Sequence, residues 1–320
     1  MVPLHAVFLD LASVDRGDLD LSPLHHAAAP WTTFPQTPPG LTAARIGEAV
    51  VAVTNKVVVD RAIMVACPGL RLVCVAATGT NNVDLVAARE RGVAVCNVTG
   101  YATPSVVQHV LALMLALTTR LAEHAAAARD GRWAASELFC LLDFPFRELA
   151  GKTLGIVGYG ELGRGIARVA QALGMSVLIA QRPGGPPQEG RLPLDELLAR
   201  SDVVTLHVPL GDNTRGLIGA RELALMKPEA LLVNTARGGI VDEAALIAAL
   251  RAGRLGGAGV DVLAVEPPPE GSPLLHDPPP NLIVTPHVAW ASREARQRLI
   301  DEVALNIVAF SEGRERNRLA

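Results

Sequence analysis

The chain has 320 residues, 50% of them hydrophobic and only 3% aromatic, with 29 Lys and Arg against 32 Asp and Glu for a net charge of −3. That length suits about two domains, and cores of Ala, Val, Leu and Ile suit parallel sheets covered by helices on both faces. The charge gives no footprint for nucleic acid, and the longest apolar run, residues 110–117, falls short of the roughly 20 residues of a membrane span.

The start, Met1 to Asp10, lacks a basic n-region and meets an acid early, so no signal peptide is expected. Strand-like runs follow at 5–10, 49–54, 70–77 and 93–98, with a Pro-rich surface loop over 30–39 and a helix over 84–91 closed by Gly92. A long helix is predicted from about Pro104, a first-turn proline behind Thr103, to Arg129. Residues 136–150 read as irregular. Beyond Lys152, strands at 153–157, 176–180, 202–208, 230–234, 257–262 and 281–285 alternate with helices at 162–173, 194–200, 221–226 and 243–252. A last helix is predicted over 293–312. Alternation of this kind is the pattern of doubly wound α/β folds. Cys67, Cys74, Cys96 and Cys140 form no CxxC pair and read as reduced core cysteines of a cytoplasmic protein.

Gly158-Tyr159-Gly160-Glu161-Leu162-Gly163 stands between a predicted strand and a predicted helix. The first glycine permits a tight turn, the second lets backbone approach a pyrophosphate, and the third lets helix and strand pack closely. Phosphates then face the free N–H groups at the helix start. Ligands in such sheets bind outside the carboxyl ends of strands. The polar residues ending three successive strands are Arg237, Glu266 and His287, and Asp261 lies within the fifth strand. A guanidinium fork can hold a carboxylate. An imidazolium can protonate a carbonyl oxygen while hydride reaches its carbon. A neighbouring carboxylate orients the ring. Singly, each of the three reads as well as a surface charge, a solvated loop residue or a core histidine. Together they read as a site.

With Asn234-Thr235-Ala236-Arg237-Gly238-Gly239, Gly259-Val260-Asp261-Val262, Glu266-Pro267 and Thr285-Pro286-His287, the chain resembles the D-isomer-specific 2-hydroxyacid dehydrogenases over nearly its whole length. The runs Ala76-Ala77-Thr78-Gly79-Thr80-Asn81-Asn82-Val83-Asp84 and Phe139-Cys140-Leu141-Leu142-Asp143, with Trp290, resemble the glycerate dehydrogenase and hydroxypyruvate reductase branch. The resemblance implies an NAD(H)- or NADP(H)-dependent oxidoreductase that acts on a small 2-keto or 2-hydroxy acid, glyoxylate or hydroxypyruvate, and needs no metal. It implies a Rossmann domain over 101–287 and a flavodoxin-like substrate domain from 1–100 and 288–320. In that reading Arg237 clamps the carboxylate, His287 is the acid/base and Glu266 its partner. Backbone N–H groups of Thr78 and Gly79 grip the substrate, and Asn55, Tyr101 and Trp290 line its site. Cofactor contacts fall to Gly158, Gly160, Glu161, Leu162, Gly163, Gln181, Arg182, His207, Val208, Pro209, Thr214, Thr235, Ala236, Arg237, Asp261 and His287, with Asp261 on the carboxamide. A cytoplasmic homodimer is implied too.

One departure concerns the cofactor. An acid usually stands about 20 residues beyond the glycines, on the ribose 2′-hydroxyl. Here Gln181 occupies that place, followed by Arg182, which leaves NADP open beside NAD. Two other function classes stay open: a nucleotide-sensing regulator of the corepressor type and a phosphite-type dehydrogenase. His109, His124 and His276 show no metal spacing and read as structural or exposed, His25 and His26 as surface. Lys56 reads equally as a site residue and as an exposed one.

Overall fold

Short apolar runs form eleven parallel-paired strands in the computed structural model, which describes residues 4–320. The reading of the chain start rests partly on Met1, Val2 and Pro3, which lie outside the described residues. The chain divides into two units, one from the residues up to Ala102 with Trp290–Ala320, the other Thr103–Ala289.

In the first unit, β1 (Ala6–Phe8), β2 (Trp31–Thr33), β3 (Val51–Thr54), β4 (Leu72–Val75) and β5 (Ala94–Cys96) form a sheet in the order β2-β1-β3-β4-β5. Every residue of β1, β3, β4 and β5 is buried, because helices cover both faces and no alternation of polar residues is needed. β2 corrects the sequence reading, which placed a loop there. Its three residues lie between Pro30 and Pro35 and pair on one side only, with β1. An edge strand tolerates flanking prolines, and three residues are too few to show a period.

The helices of this unit are α1 (Ser22–Ala27), α2 (Thr42–Ile46), α3 (Arg61–Ala66) and α4 (Leu85–Arg91). Asp60 and Asp84 cap α3 and α4 by accepting from Ile63 and Ala87 N–H, and Gly92 ends α4 in the left-handed conformation. The C-terminal helix, Arg293–Ser311, starts at the Ser292 cap. Its Ala295, Leu299, Ile300, Val303 and Ile307 enter one core with Phe8, Val51, Val53 and Leu72. The unit is thus assembled from two distant stretches of chain.

The second unit carries β6 (Thr153–Val157), β7 (Ser176–Ile179), β8 (Val203–Leu206), β9 (Leu231–Asn234), β10 (Gly257–Val260) and β11 (Leu282–Val284), in the order β11-β10-β9-β8-β6-β7. Its helices are α5 (Thr103–Thr119), α6 (Leu121–Arg129), α7 (Glu161–Ala172), α8 (Leu194–Arg200), α9 (Ala220–Leu225), α10 (Glu243–Arg251) and α11 (Pro273–His276). The chain reverses direction across the sheet between β6 and β8, which opens a crevice at their carboxyl ends. Both sheets are parallel and the class is α/β, as the alternation of elements predicts.

The helix predicted to run unbroken to Arg129 is two helices that meet at 62°. Arg120 breaks it with φ +52 and pairs through Nε with Glu123 at 2.6 Å, while the Thr119 hydroxyl turns back to donate to Leu115 O. No glycine or proline marks the break. Among the described residues no single helix is long and apolar enough to cross a membrane; the bent pair passes by length and composition, but Val106, Val110, Leu113, Met114 and Leu117 of α5 are buried in the unit.

Candidate active site

The glycine turn joins β6 to α7. Gly158 has φ +99, and a Cβ there would lie 2.5 Å from His207 O; one on Gly163 would lie 2.3 Å from Gly158 O. Both positions exclude any larger residue. Gly160 differs: its added Cβ would meet nothing within 4 Å. That open side faces a cavity of about 420 Å³ lined by Gly158, Tyr159, Gly160, Arg182, Arg191, His207 and Val208 among others. Glu161 and Leu162 open α7, so the helix N–H groups and the positive end of its dipole lie at this turn.

Two buried polar atoms around this crevice have no partner among the described residues, His207 Nδ1 and Thr235 Oγ1. The His207 ring pairs through Nε2 with Thr205 Oγ1 at 2.8 Å, and desolvation drives its pKa down to about 3, so the ring is neutral near neutral pH. Open space over Gly160 and unsatisfied polar atoms fit a dinucleotide laid across the carboxyl ends of β6 and β8.

Of the other sequence candidates for this crevice, Pro209 lines the cavity. Thr214 is buried and shapes its own turn, donating to Pro209 O at 2.6 Å and accepting from Gly211 N–H at 2.8 Å. Gln181 is not in the wall; its N–H donates to Leu192 O at 2.8 Å. That bond, with the Ala180–Leu192 bridge, folds the loop back and returns Arg191 to the cavity beside Arg182. Neither guanidinium has a carboxylate partner among the described residues, and no acid lines the cavity. Tyr159, Gln188 and Arg191 were missed from the sequence; a loop of Gly and Pro carries no period that would announce them.

Arg237, Glu266 and His287 follow β9, β10 and β11, which are adjacent strands. Asn234 shapes the first turn: its Nδ2 donates to Arg237 O at 2.9 Å and its Oδ1 accepts from Ala236 N–H at 3.1 Å. Arg237 itself donates to Ala236 O at 2.7 Å. The next residue, Gly238, packs against the Leu263 carbonyl so closely that a Cβ would lie 1.9 Å from its oxygen. Glu266 Oε1 accepts from Leu263 N–H at 2.8 Å, and Glu266 Oε2 lies 2.6 Å from His287 Nδ1. His287 Nε2 has no partner among the described residues. Both side chains are about one-third exposed.

Asp261 is buried and serves the histidine turn. Its Oδ1 accepts from the Thr285 hydroxyl at 2.6 Å and Val288 N–H at 2.9 Å, its Oδ2 from Ala289 N–H at 2.9 Å. His287 holds φ +53, a conformation that costs a non-glycine residue about 1–2 kcal/mol and persists where the surroundings enforce it.

In the first unit the candidates cluster at the carboxyl ends of β3, β4 and β5. Asn55 is 4% exposed, donating through Nδ2 to Ser13 Oγ at 3.0 Å. Backbone N–H groups of Asn55 and Lys56 donate to Asp10 at 2.8 and 2.7 Å; burial nonetheless pushes the Asp10 carboxyl up from the usual aspartate range. Thr78 is exposed and donates to Val98 O at 2.8 Å, with Gly79 beside it. Tyr101 is buried and meets Trp290 edge to face at 6.3 Å.

The model of the D-isomer-specific 2-hydroxyacid dehydrogenases, NAD-binding domain, matches residues 111–289. The chain belongs to this dehydrogenase family. It is a nicotinamide-nucleotide-dependent oxidoreductase. It is 46% identical to a glycerate dehydrogenase of Methylorubrum extorquens over 97% of both chains. It is 39% identical to a hydroxypyruvate reductase of Blautia hydrogenotrophica over 84% of both. The crystal structure of an NADPH-dependent glyoxylate/hydroxypyruvate reductase from Sinorhizobium meliloti, in complex with NADP and malonate, superposes with a TM-score of 0.82. That pair is 28% identical, over 100% of this chain and 97% of the other.

Proposed function

We propose that this dehydrogenase reversibly reduces glyoxylate and hydroxypyruvate to their 2-hydroxy acids, with His287 as acid/base, Glu266 as its partner and Arg237 as the carboxylate clamp. The observation that carries the reading is the 2.6 Å pair of His287 Nδ1 and Glu266 Oε2, on strand ends adjacent to Arg237. A nicotinamide supplies the hydride when bound. Glu266 keeps the proton on Nδ1 and compensates the charge of the ring, so Nε2 presents a proton to the carbonyl oxygen as its carbon is reduced. Arg237 turns its fork from the Ala236 carbonyl to the substrate carboxylate. Gly158, Gly160, Gly163, Glu161 and Leu162 take the pyrophosphate, while His207, Val208, Pro209, Thr214, Thr235, Ala236 and Asp261 hold the two ends of the cofactor. The substrate assignment is supported by the names of the relatives above.

His287→Ala should lower kcat by about 10²–10⁴-fold while NADH binding, read by fluorescence, stays within a factor of two. Turnover close to wild type would remove His287 from the mechanism.

We also propose a cytoplasmic homodimer. The segment following α6 exposes Leu138 at 64%, Phe139 at 91% and Leu142 at 77%, neighbouring apolar side chains of the kind that mark an interaction surface. Light scattering that returned a single-chain mass at micromolar concentration would reject it.

A further inference from the structure

We infer that His109 is a positioning residue for the acid/base turn, an assignment that rests on the reading of His287 as the proton donor. His109 lies on α5, four residues after Ser105, and the two share a face of that helix. Its Nε2 is 3.0 Å from Thr285 Oγ1 and 3.5 Å from Asp261 Oδ1.

The direction of the bonds follows from proton counting. Thr285 has one hydroxyl proton, and it goes to Asp261 Oδ1 at 2.6 Å. Thr285 Oγ1 therefore accepts from His109, and Nε2 of His109 carries a proton. His109 thereby fixes the hydroxyl rotor of Thr285, which in turn fixes Asp261. Asp261 grips the turn on both sides of the catalytic ring: its carbonyl accepts His287 N–H at 2.8 Å, and its carboxylate accepts Val288 and Ala289 N–H at 2.9 Å each. Ser105 closes the same turn by donating to Ala289 O at 2.7 Å. The left-handed φ of His287 has no glycine to ease it. It is held by this set of bonds, and α5 anchors the set at Ser105 and His109.

The ionisable groups around the chain of bonds are His109, Asp261, His287 and Glu266. His109 and Asp261 face each other at 3.5 Å, and His287 and Glu266 at 2.6 Å. Among the described residues His109 bonds to Thr285 and approaches Asp261, so its effect on the His287–Glu266 pair travels through those two.

The test is a double-mutant cycle on the full-length enzyme. His109→Leu should lower kcat for keto-acid reduction on the order of tenfold to a hundredfold, the effect of sub-ångström to ångström misplacement of a reacting group, with NADH affinity within a factor of two. The solvent deuterium isotope effect on kcat should rise as proton transfer becomes limiting, which a purely structural role would not produce. His109→Gln, whose amide can donate from the same depth, should recover most of the loss. In a His287→Ala background, His109→Leu should cost nothing more. Thr285→Val probes the same link from its other end should His109→Leu fail to fold. The inference is overturned if His109→Leu and Thr285→Val keep wild-type kcat and isotope effect, or if His109→Leu costs as much without His287 as with it. A His287→Ala enzyme of near wild-type turnover overturns instead the catalytic reading beneath it.

Discussion

At the scale of single residues, two arginines in the cavity wall and the absence of an acid there carry the expected cofactor preference. Carboxylates at the end of the second Rossmann strand repel a ribose 2′-phosphate, and Gln181 does not. Arg182 and Arg191 line the cavity without a carboxylate partner among the described residues, and present forked donors to such a dianion. NADPH should therefore be used at least as well as NADH. Arg182→Ala and Arg191→Ala should each lower kcat/KM for NADPH about tenfold, the loss expected of one charge-assisted bond, and for NADH by less than half that. Gln181 lies just outside the wall, so Gln181→Asp should lower NADPH use relative to NADH through its added charge alone. A wild-type preference for NADH that none of the three substitutions changes would mean that these side chains face solvent rather than the ribose.

Among the elements, what could be read in advance follows physical range. β6, β8 and β9 are apolar runs buried on both faces, and their burial is a local property, so they were legible. So was the glycine turn: Gly163 is demanded by its contact with Gly158 O and Gly158 by its own φ of +99, both within one strand–turn–helix, although the clash with His207 O is not local. Arg237, Glu266 and His287 were legible as strand-end residues, since adjacency of β9, β10 and β11 follows from their order. β2 was hidden by its prolines and its brevity. The break at Arg120 was hidden because helical periodicity continues through it; only a dihedral at one residue interrupts the axis. Arg191 was hidden because the loop over 181–191, closed by the pairing of Leu192 with Ala180, decides where it points. His109 was passed over for the same reason: its partner Thr285 is 176 residues away.

For the whole molecule, the discontinuity of the first unit shows in its ion pairs as well as its core. Arg296 of the C-terminal helix holds Asp18 in two bonds of 2.8 and 2.7 Å, and its guanidinium keeps the Asp18 carboxyl well below the usual carboxylate range. A carboxyl depressed in the folded state stabilises it above the unfolded value of about 3.9, and the contribution fades as pH falls below that. Asp18→Asn should therefore lower the thermal midpoint at pH 7, and the gap from wild type should close as the scan is repeated from pH 4 downward. A gap independent of pH would trace the loss to the helix contact rather than to charge. The same two-segment construction sets an order of events during synthesis. At about 5–20 residues per second, the ribosome reaches the C-terminal helix some tens of seconds after it has delivered β5. Through that interval the nascent first sheet bears an uncovered apolar face where Leu299, Ile300 and Val303 will dock, while the nucleotide unit behind it can already close. A holdase waiting at the exit tunnel would meet this enzyme first through β1, β3 and β4.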